Sequence, residues 1–364
     1  MAHAVAASDA VQTTCHLSFA FEVGQGIDLE VAERLLSGTE RQTVRSRRRV
    51  PQYFEYRPAP LRVGTEQLPP QVASLRPLRA EIVLYDFGAA AVNYSYHYAG
   101  PLEGLVAVGS ALQAVEAGLA ADARQRVTAM IHRLPGALSR PGVAPEVEDY
   151  LIFQLDQVGG QRGLRELIGE SGPTLAQILR SAACPLSMEE TDDALAVRLS
   201  YGSEDLSLID WNAAIIFDSE PDETRAVLEF ANVQLLEFRH LDGQLDQAVD
   251  RAYQALARTE RGWIHRLRPP TAAFRQQALY QMDAAVLFER VSNALKLVGD
   301  QFLSRVYRAV SARFHLDDWD RGITRKLDVL DRIYQKIGDQ VSARRLEILE
   351  WIVIVLIALE LVLR

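Results

Sequence analysis

The tripeptide Asp86-Phe87-Gly88 is the residue pattern with which protein kinases hold magnesium, so its chemistry would be phosphoryl transfer. That chemistry also needs a glycine-rich loop over the phosphates, a strand lysine and a His-Arg-Asp catalytic loop. None occurs here, and the first lysine of the chain is Lys296. A second stretch, Leu208 to Asp218 (LIDWNAAIIFD), echoes Leu84 to Tyr94 (LYDFGAAAVNY) as Leu-x-Asp-aromatic-small-Ala-Ala. An apolar strand that stops at Asp, turns on Gly or Asn and resumes apolar is a hairpin pattern, because Gly and Asn tolerate positive φ and Asp bonds its own turn. Asp86, Gly88, Asp210 and Asn212 are therefore read as equivalent turn corners, with a strand unit duplicated inside one domain.

Other chemistry-bearing residues are sparse. The seven histidines show no H-x-x-x-H or H-x-x-E-H spacing, and His97, among Tyr94, Tyr96 and Tyr98, reads as a surface residue at a strand end. Glu189, Glu190, Asp192 and Asp193 lack the spacing and central glycine of a calcium loop and read as a solvated turn. Gly24 and Gly26 begin a G-x-G, but Leu29 stands where a dinucleotide fingerprint needs its third glycine; Gly159, Gly160 and Gly163 read as a loop. Cys15 and Cys184 are too few and too far apart for a disulfide framework or a zinc site. No catalytic residue, cofactor or metal is expected. Arg45, Arg47, Arg48 and Arg49, followed by Tyr53, Phe54 and Tyr56, form a candidate phosphate contact, since arginine binds phosphate and aromatic rings stack on bases. RNA or an anionic lipid is the partner that such a segment would take.

The elements that must position these residues fall into two kinds. Up to about residue 218, short β-type runs alternate with amphipathic helical patterns. Strands are expected at 15–23, 52–56, 81–85, 89–94, 147–155, 194–199 and 208–217, and helices at 28–36, 102–119, 123–134 and 174–181. Five prolines between Pro58 and Pro77 exclude a helix or central strand there and predict a surface connection. After Pro221 the strand signals stop. Apolar residues then return every three or four positions from Leu228 to Leu256, from Phe288 to Val306, and from Ile323 to Val341 at near-heptad spacing. Asp317-Asp318 offers an N-cap for the last of these. The expected fold class is α+β: an α/β-like head of short strands and helices at 1–220, then a long all-helical hairpin or bundle at 221–347, ending in an apolar tail at 348–364.

With 364 residues, a net charge of −9 and 48% hydrophobic content, the chain can bury two cores and is too acidic overall to coat nucleic acid. The N-terminus has no positively charged n-region and no arginine before Arg34, which argues against a signal or transit peptide. Ile348 to Leu363 is apolar apart from Glu350 and Glu360, but its 16 residues fall short of the roughly 20 that span a bilayer. Trp351, Ile352, Val353, Ile354, Val355, Leu356, Ile357, Leu359 and Leu361 would be sheltered by lipid or by the tails of sister chains.

The stretches LYDFGAAAVNY, PLEGLV, VEDYLIFQ, LEFANVQLLEFRHLD, LKLVGDQFLSRVYR and RLEILEWIVIVLIALELVL resemble the family of proteins required for meiotic nuclear division, which carries a conserved domain of unknown function. The resemblance implies an α/β head, a helical C-terminal region, membrane association through the C-terminal segment and oligomer formation, with no established catalytic residues. It links mitochondrial members to translation at the inner membrane; the missing transit peptide sets this chain with the bacterial type.

The sequence thus leads to a non-enzymatic, membrane-associated oligomeric scaffold or tether on the cytoplasmic face of the membrane, anchored C-terminally. Two alternatives stand beside it: an RNA-binding or ribosome-associated module using residues 41–49, and an enzyme acting on a phosphorylated small molecule.

Overall fold

The computed structural model describes residues 10–37, 59–73, 75–158, 164–218, 220–261 and 301–362, and within the helices some side chains, among them 340–349 and 358–362, lie outside the description. The architecture is mixed α+β, a sheet with helices followed by a helical region. Contacts divide the chain into a sheet unit, Met1–Glu237 with Glu289–Asp317, and a helical unit, Phe238–Phe288 with Asp318–Arg364.

In the sheet unit the described strands are β1 (Ala10–Glu22), β2 (Gly26–Ile27), β3 (Leu61–Thr65), β4 (Arg76–Leu84), β5 (Ala89–Pro101), β6 (Leu138–Ser139), β7 (Glu148–Val158), β8 (Arg198–Leu199), β9 (Leu206–Ile209) and β10 (Ala213–Phe217). Eight of them form one sheet in the order β3-β4-β5-β1-β7-β10-β9-β8, and β2 pairs with β6. Neighbours in the large sheet are antiparallel except β7 and β10, which run parallel. The helices are α1 (Leu29–Ser37), α2 (Gly104–Ala114), α3 (Glu116–His132), α4 (Leu164–Arg180), α5 (Met188–Ala194), α6 (Pro221–Arg261), α7 (Gln301–Arg313) and α8 (Leu316–Val362).

Strand alternation gives the sheet two different faces. On one, Cys15, Leu17, Phe19 and Phe21 of β1 join Ile82 and Leu84, Val92 and Tyr94, and Leu151 and Phe153 in an apolar core covered by α1 to α4. Burial holds the Cys15 thiol well above its ordinary pKa, which makes it an inert core residue, whereas Cys184 is exposed. The opposite face of β1 carries His16, Ser18, Ala20 and Glu22, all buried. That face meets α6, whose residues Val227 to Gln234 are buried without interruption.

Several elements depart from the sequence expectations. The described part of the connection expected over 58–77 is more than that: Leu61–Thr65 pairs with β4 as an edge strand, where proline before the strand costs no ladder hydrogen bond. The Arg126 guanidinium pins the rest, donating to the carbonyls of Gln67 and Leu68 at 2.9 Å each. Helix α4 runs through Pro173 instead of starting after it; the residue before the proline is Gly172, which has no Cβ to meet the ring. The helix expected over 102–119 breaks at Val115, where α2 and α3 bend by 60°. Together these two helices have the length and composition of a bent membrane span, yet Leu105, Leu112, Leu119 and Val127 are buried in the core. The strand expected over 194–199 shrinks to Arg198–Leu199, because Ser187 caps α5 and carries helix to Ala194. The acidic cluster 189–193 is therefore helix and not a turn. The strand expected at 52–56 lies outside the described residues.

In the helical unit, Leu241 and Leu245 of α6 and Ile323, Leu330, Ile333 and Ile337 of α8 are buried, and Lys326 Nζ lies 2.7 Å from Asp242 and 2.5 Å from Asp246. Among the described residues, no single helix is long and apolar enough to cross a membrane.

Gly88 is the tightest point of the sheet unit: its φ is +113°, and a Cβ there would sit 1.8 Å from the Gly24 carbonyl oxygen. Replacing it with alanine is expected to lower the unfolding free energy by roughly 2–4 kcal/mol, from backbone strain plus the clash. A shift of the urea midpoint measures this, and an unchanged midpoint would contradict the geometry.

Candidate functional site

The structure places both predicted corners in hairpins. Tyr85 N donates to Ala89 O at 2.9 Å across the β4–β5 turn holding Asp86 and Gly88, and Asp210 N donates to Ala213 O at 2.9 Å across the β9–β10 turn holding Asn212. The two corners then do different things. The first is packed against residues 23–27, with Val23 N donating to Gly88 O and Ile27 N to Asp86 O, both at 2.8 Å. The second is an electrostatic hub.

Asp210 is fully buried, and its carboxylate meets two guanidinium groups from distant elements. Arg180, at the end of α4, donates its Nε to Asp210 Oδ2. Arg313, at the end of α7, donates its Nε to Oδ1 at 2.6 Å, and Trp211 N adds a third donor at 2.8 Å. Both arginines also reach Asp193 Oδ2 on α5, at 2.6 Å each, and Arg180 reaches Glu190 Oε2 at 3.0 Å. The hydrogen bonds from Arg313, then those from Arg180, hold the Asp193 carboxyl at about 2, against an ordinary value of 3.8. Trp211, exposed at the corner, lies with its ring 5.7 Å from the Arg180 guanidinium. This arrangement ties α4, α5, α7 and the hairpin to one buried charge. The sequence reading missed both arginines, which lie 30 and 103 residues from Asp210.

A second polar constellation lies where α6 crosses the sheet. Gln154 Oε1 accepts from His16 Nε2 at 3.1 Å, which leaves Nδ1 to accept from the Ser95 hydroxyl at 3.0 Å. The pair has the spacing of a nucleophile and its base, but both residues are buried, and Arg225 Nη1 stands 3.1 Å from Nδ1. The arrangement works as a tie between strand and helix. Further along α6, the buried Glu229 accepts from Arg62 Nη2 at 2.8 Å, and Asn232 Nδ2 donates to Glu148 O at 3.3 Å. At the end of the seam the carboxyls of Glu22 and Glu237 meet, both buried. Burial pushes Glu237 from 4.5 up to about 7, and burial together with the neighbouring Glu237 charge pushes Glu22 well above its ordinary range.

A shallow cleft opens on the other side of the sheet, floored by Leu17, Leu112 and Leu151 and rimmed by Glu116, Asp149, Ser181 and the predicted corner residue Asn212. Burial, then the nearby Glu116, raises the Asp149 carboxyl to about 6.

The remaining predicted residues are not brought to these places. Arg45, Arg47, Arg48 and Arg49 lie outside the described residues. Trp351, Ile352, Val353, Ile354, Leu356 and Ile357 are exposed on α8 in the helical unit; the side chains of Val355, Leu359 and Leu361 lie outside the description. Among the described residues, no group of three or more His, Cys, Asp or Glu is arranged to hold a metal ion.

The sheet unit is thus an α+β domain with one apolar face and a second face on which a polar seam runs through apolar packing, with a buried aspartate held between two arginines. Residues 12–223 match the family described as Uncharacterized protein MJ0711, N-terminal domain, and since this is more than half of the chain, the chain belongs to that family. A relative from Methanocaldococcus jannaschii, itself described as uncharacterized, is 24% identical over 198 residues, which is 54% of this chain and 60% of the relative. The chain therefore spans less than two thirds of that relative's length. Neither description names a function. No solved structure matches the chain.

Removing the Asp210 carboxylate leaves two guanidinium groups facing a site without its buried charge, so Asp210→Ala is expected to cost about 3–5 kcal/mol. Asp193, half exposed and screened by water, is expected to cost under about 1 kcal/mol as Asp193→Ala. Because its folded pKa is depressed, the Asp193 contribution is present above the ordinary value of 3.8 and disappears as pH falls through about 2. Guanidinium unfolding of the two variants measures the contrast, and equal losses would contradict the assignment of Asp210 as the hub.

Proposed function

We propose that the protein is a non-enzymatic, membrane-associated scaffold that assembles with copies of itself and is held at the cytoplasmic face of a membrane by its C-terminal helix. The observation that carries this reading is the exposure of Trp351, Ile352, Val353, Ile354, Leu356 and Ile357, each at least half exposed. Four consecutive helical residues at 100° intervals cover most of the circumference, so this is an apolar segment all round and not one stripe for a single groove. Such a segment suits a continuous apolar phase.

Magnitudes favour lipid shared among several copies. Covering six half-exposed side chains is worth about 6 kcal/mol, at roughly 1 kcal/mol each. That lies near the low end of the cost of bringing two proteins together, but it resembles the reversible membrane binding of a single acyl chain. Two or more anchors on one particle convert weak binding into stable attachment, which gives self-assembly a purpose. The apolar stretch Ile348 to Leu363 would be about 24 Å long as a helix, less than a bilayer core, so it enters the membrane without crossing it unaided.

The resemblance to the proteins required for meiotic nuclear division supports the same reading, since it implies membrane association and oligomers. Phosphate binding by Arg45, Arg47, Arg48 and Arg49, and an activity on a phosphorylated small molecule, rest on sequence alone.

Full-length protein is expected to float with phospholipid vesicles and to run as a multi-chain particle in detergent. A chain ending at Leu349 should stay at the bottom of the gradient. Equal flotation of the two would overturn the proposal, and loss of flotation without any multi-chain particle in the full-length sample would remove the assembly part of it.

A further inference from the structure

The polar seam beneath α6 ends at an unusual pair. Glu22 closes β1, and its partner across the sheet, Ala89, has no polar side chain. Glu237 is the last residue of α6 that belongs to the sheet unit; from Phe238 the same helix belongs to the helical unit. The helix follows the strand: Arg225 meets His16 and Glu237 meets Glu22, about 18 Å apart along the helix and about 20 Å along the strand.

Two carboxylates cannot hydrogen-bond each other, because neither has a donor until one holds a proton. Among the described residues no other donor faces Glu237: both of its oxygens, and Glu22 Oε2, are buried without a partner beyond the opposing carboxyl. The Gly24 backbone N–H is the other donor to Glu22. The charged groups around the pair do not neutralise it. Arg225 lies at the far end of the seam against His16 and Asp222, Arg62 is taken by Glu229 and Glu81, and Arg313 by Asp193 and Asp210. Beside the pair β7 contributes another acid, the buried Glu148, opposite Ala20; β5 contributes Ala89, Ala91 and Asn93; α7 contributes the Tyr307 hydroxyl, which donates to Gln234.

We propose that Glu22 and Glu237 share one proton, and that release of this proton to solvent unfastens α6 from the sheet at the point where the helix passes into the helical unit. With the proton in place, one carboxyl donates to the other and the seam is closed. Without it, two buried negative charges face each other with no cation between them among the described residues, and the contact opens to admit water. The face beneath is suited to wetting: the Ser18 hydroxyl and the Asn93 amide, opposite each other across β1 and β5, are buried and unpartnered and would gain hydrogen bonds to water. Tyr85, Phe87 and Phe230, packed on one another under the same helix, oppose a wider opening and confine it to the Glu237 end. The sign follows from the raised carboxyls. Stability from the pair is complete below the ordinary value of 4.5 and is lost as pH rises through about 7.

The test is hydrogen exchange of the full chain between pH 5 and 8, followed by mass spectrometry and corrected for the intrinsic pH dependence of exchange. Amides of 230–242 in the native protein are expected to exchange faster by up to about tenfold for each pH unit between the ordinary and raised values. Amides at the Arg225 end should not follow. In Glu237→Gln the amide supplies a permanent donor, so protection should become independent of pH and exceed that of the native protein at pH 8. Glu22→Gln should behave in the same way, and serves if the first variant does not fold. A pH-independent native profile, or a profile unchanged by both substitutions, would overturn the proposal.

Discussion

Everything in the sheet unit depends on covering both sides of β1. The strand is flanked by β5 and β7, and from Cys15 to Glu22 every side chain, on either face, is buried and must meet something in the interior. One set is apolar and collapses against α1 to α4. The other set is small or polar, and a helix bearing polar groups lies on it with some of them met and some not. Arg225 meets His16, Glu229 meets Arg62 and Asn232 meets the Glu148 carbonyl, whereas Ser18 and the Glu22–Glu237 pair are left short of donors. The buried charges on α6 therefore follow from the alternation in β1, and the seam specifies where the helix lies.

The Asp210 corner works in a similar way. A hairpin turn at the surface needs no charge, but here the ends of α4 and α7 converge on it beside α5; α4 and α5 already share the apolar core through Leu175, Leu179, Ala194 and Leu195, and the corner adds a polar tie that also takes in α7. A carboxylate that accepts from two guanidinium groups supplies one, with the planar fork of arginine fixing direction as well as distance. The half-exposed Asp193 completes the bridge at the rim.

How far the residues announced these arrangements depends on the range of the interaction. Both hairpins were legible, because Asp86 with Gly88 and Asp210 with Asn212 act through their own backbones. The capping pattern Ser187 to Glu190 was equally local, with Glu190 N donating to Ser187 Oγ at 3.1 Å, and was overlooked in favour of a turn because the acids drew attention to charge. The break at Val115 has no glycine or proline to mark it. The seam and the hub were hidden for a different reason: Arg225 and His16 are 209 residues apart, and Arg313 and Asp210 are 103 apart. On α6 alone, Arg225, Glu229 and Glu237 look like a solvated face, since nothing near them in sequence says that a strand made two hundred residues earlier will be polar on the side they meet.

The position of β1 also has a temporal side. Its partner β5 ends at Pro101, while β7, which closes the opposite edge, is complete only at Val158. During synthesis from the ribosome at about 5–20 residues per second, the intervening stretch of about 60 residues takes roughly 3 to 12 s to emerge. A β3-β4-β5-β1 ribbon that paired within that interval would present an open row of backbone donors and acceptors thirteen residues long. The polar alternation His16, Ser18, Glu22 on one side of that ribbon makes it a poorer template for stray pairing than a uniformly greasy strand would be, so the composition that later seats α6 also guards the chain while it is unfinished.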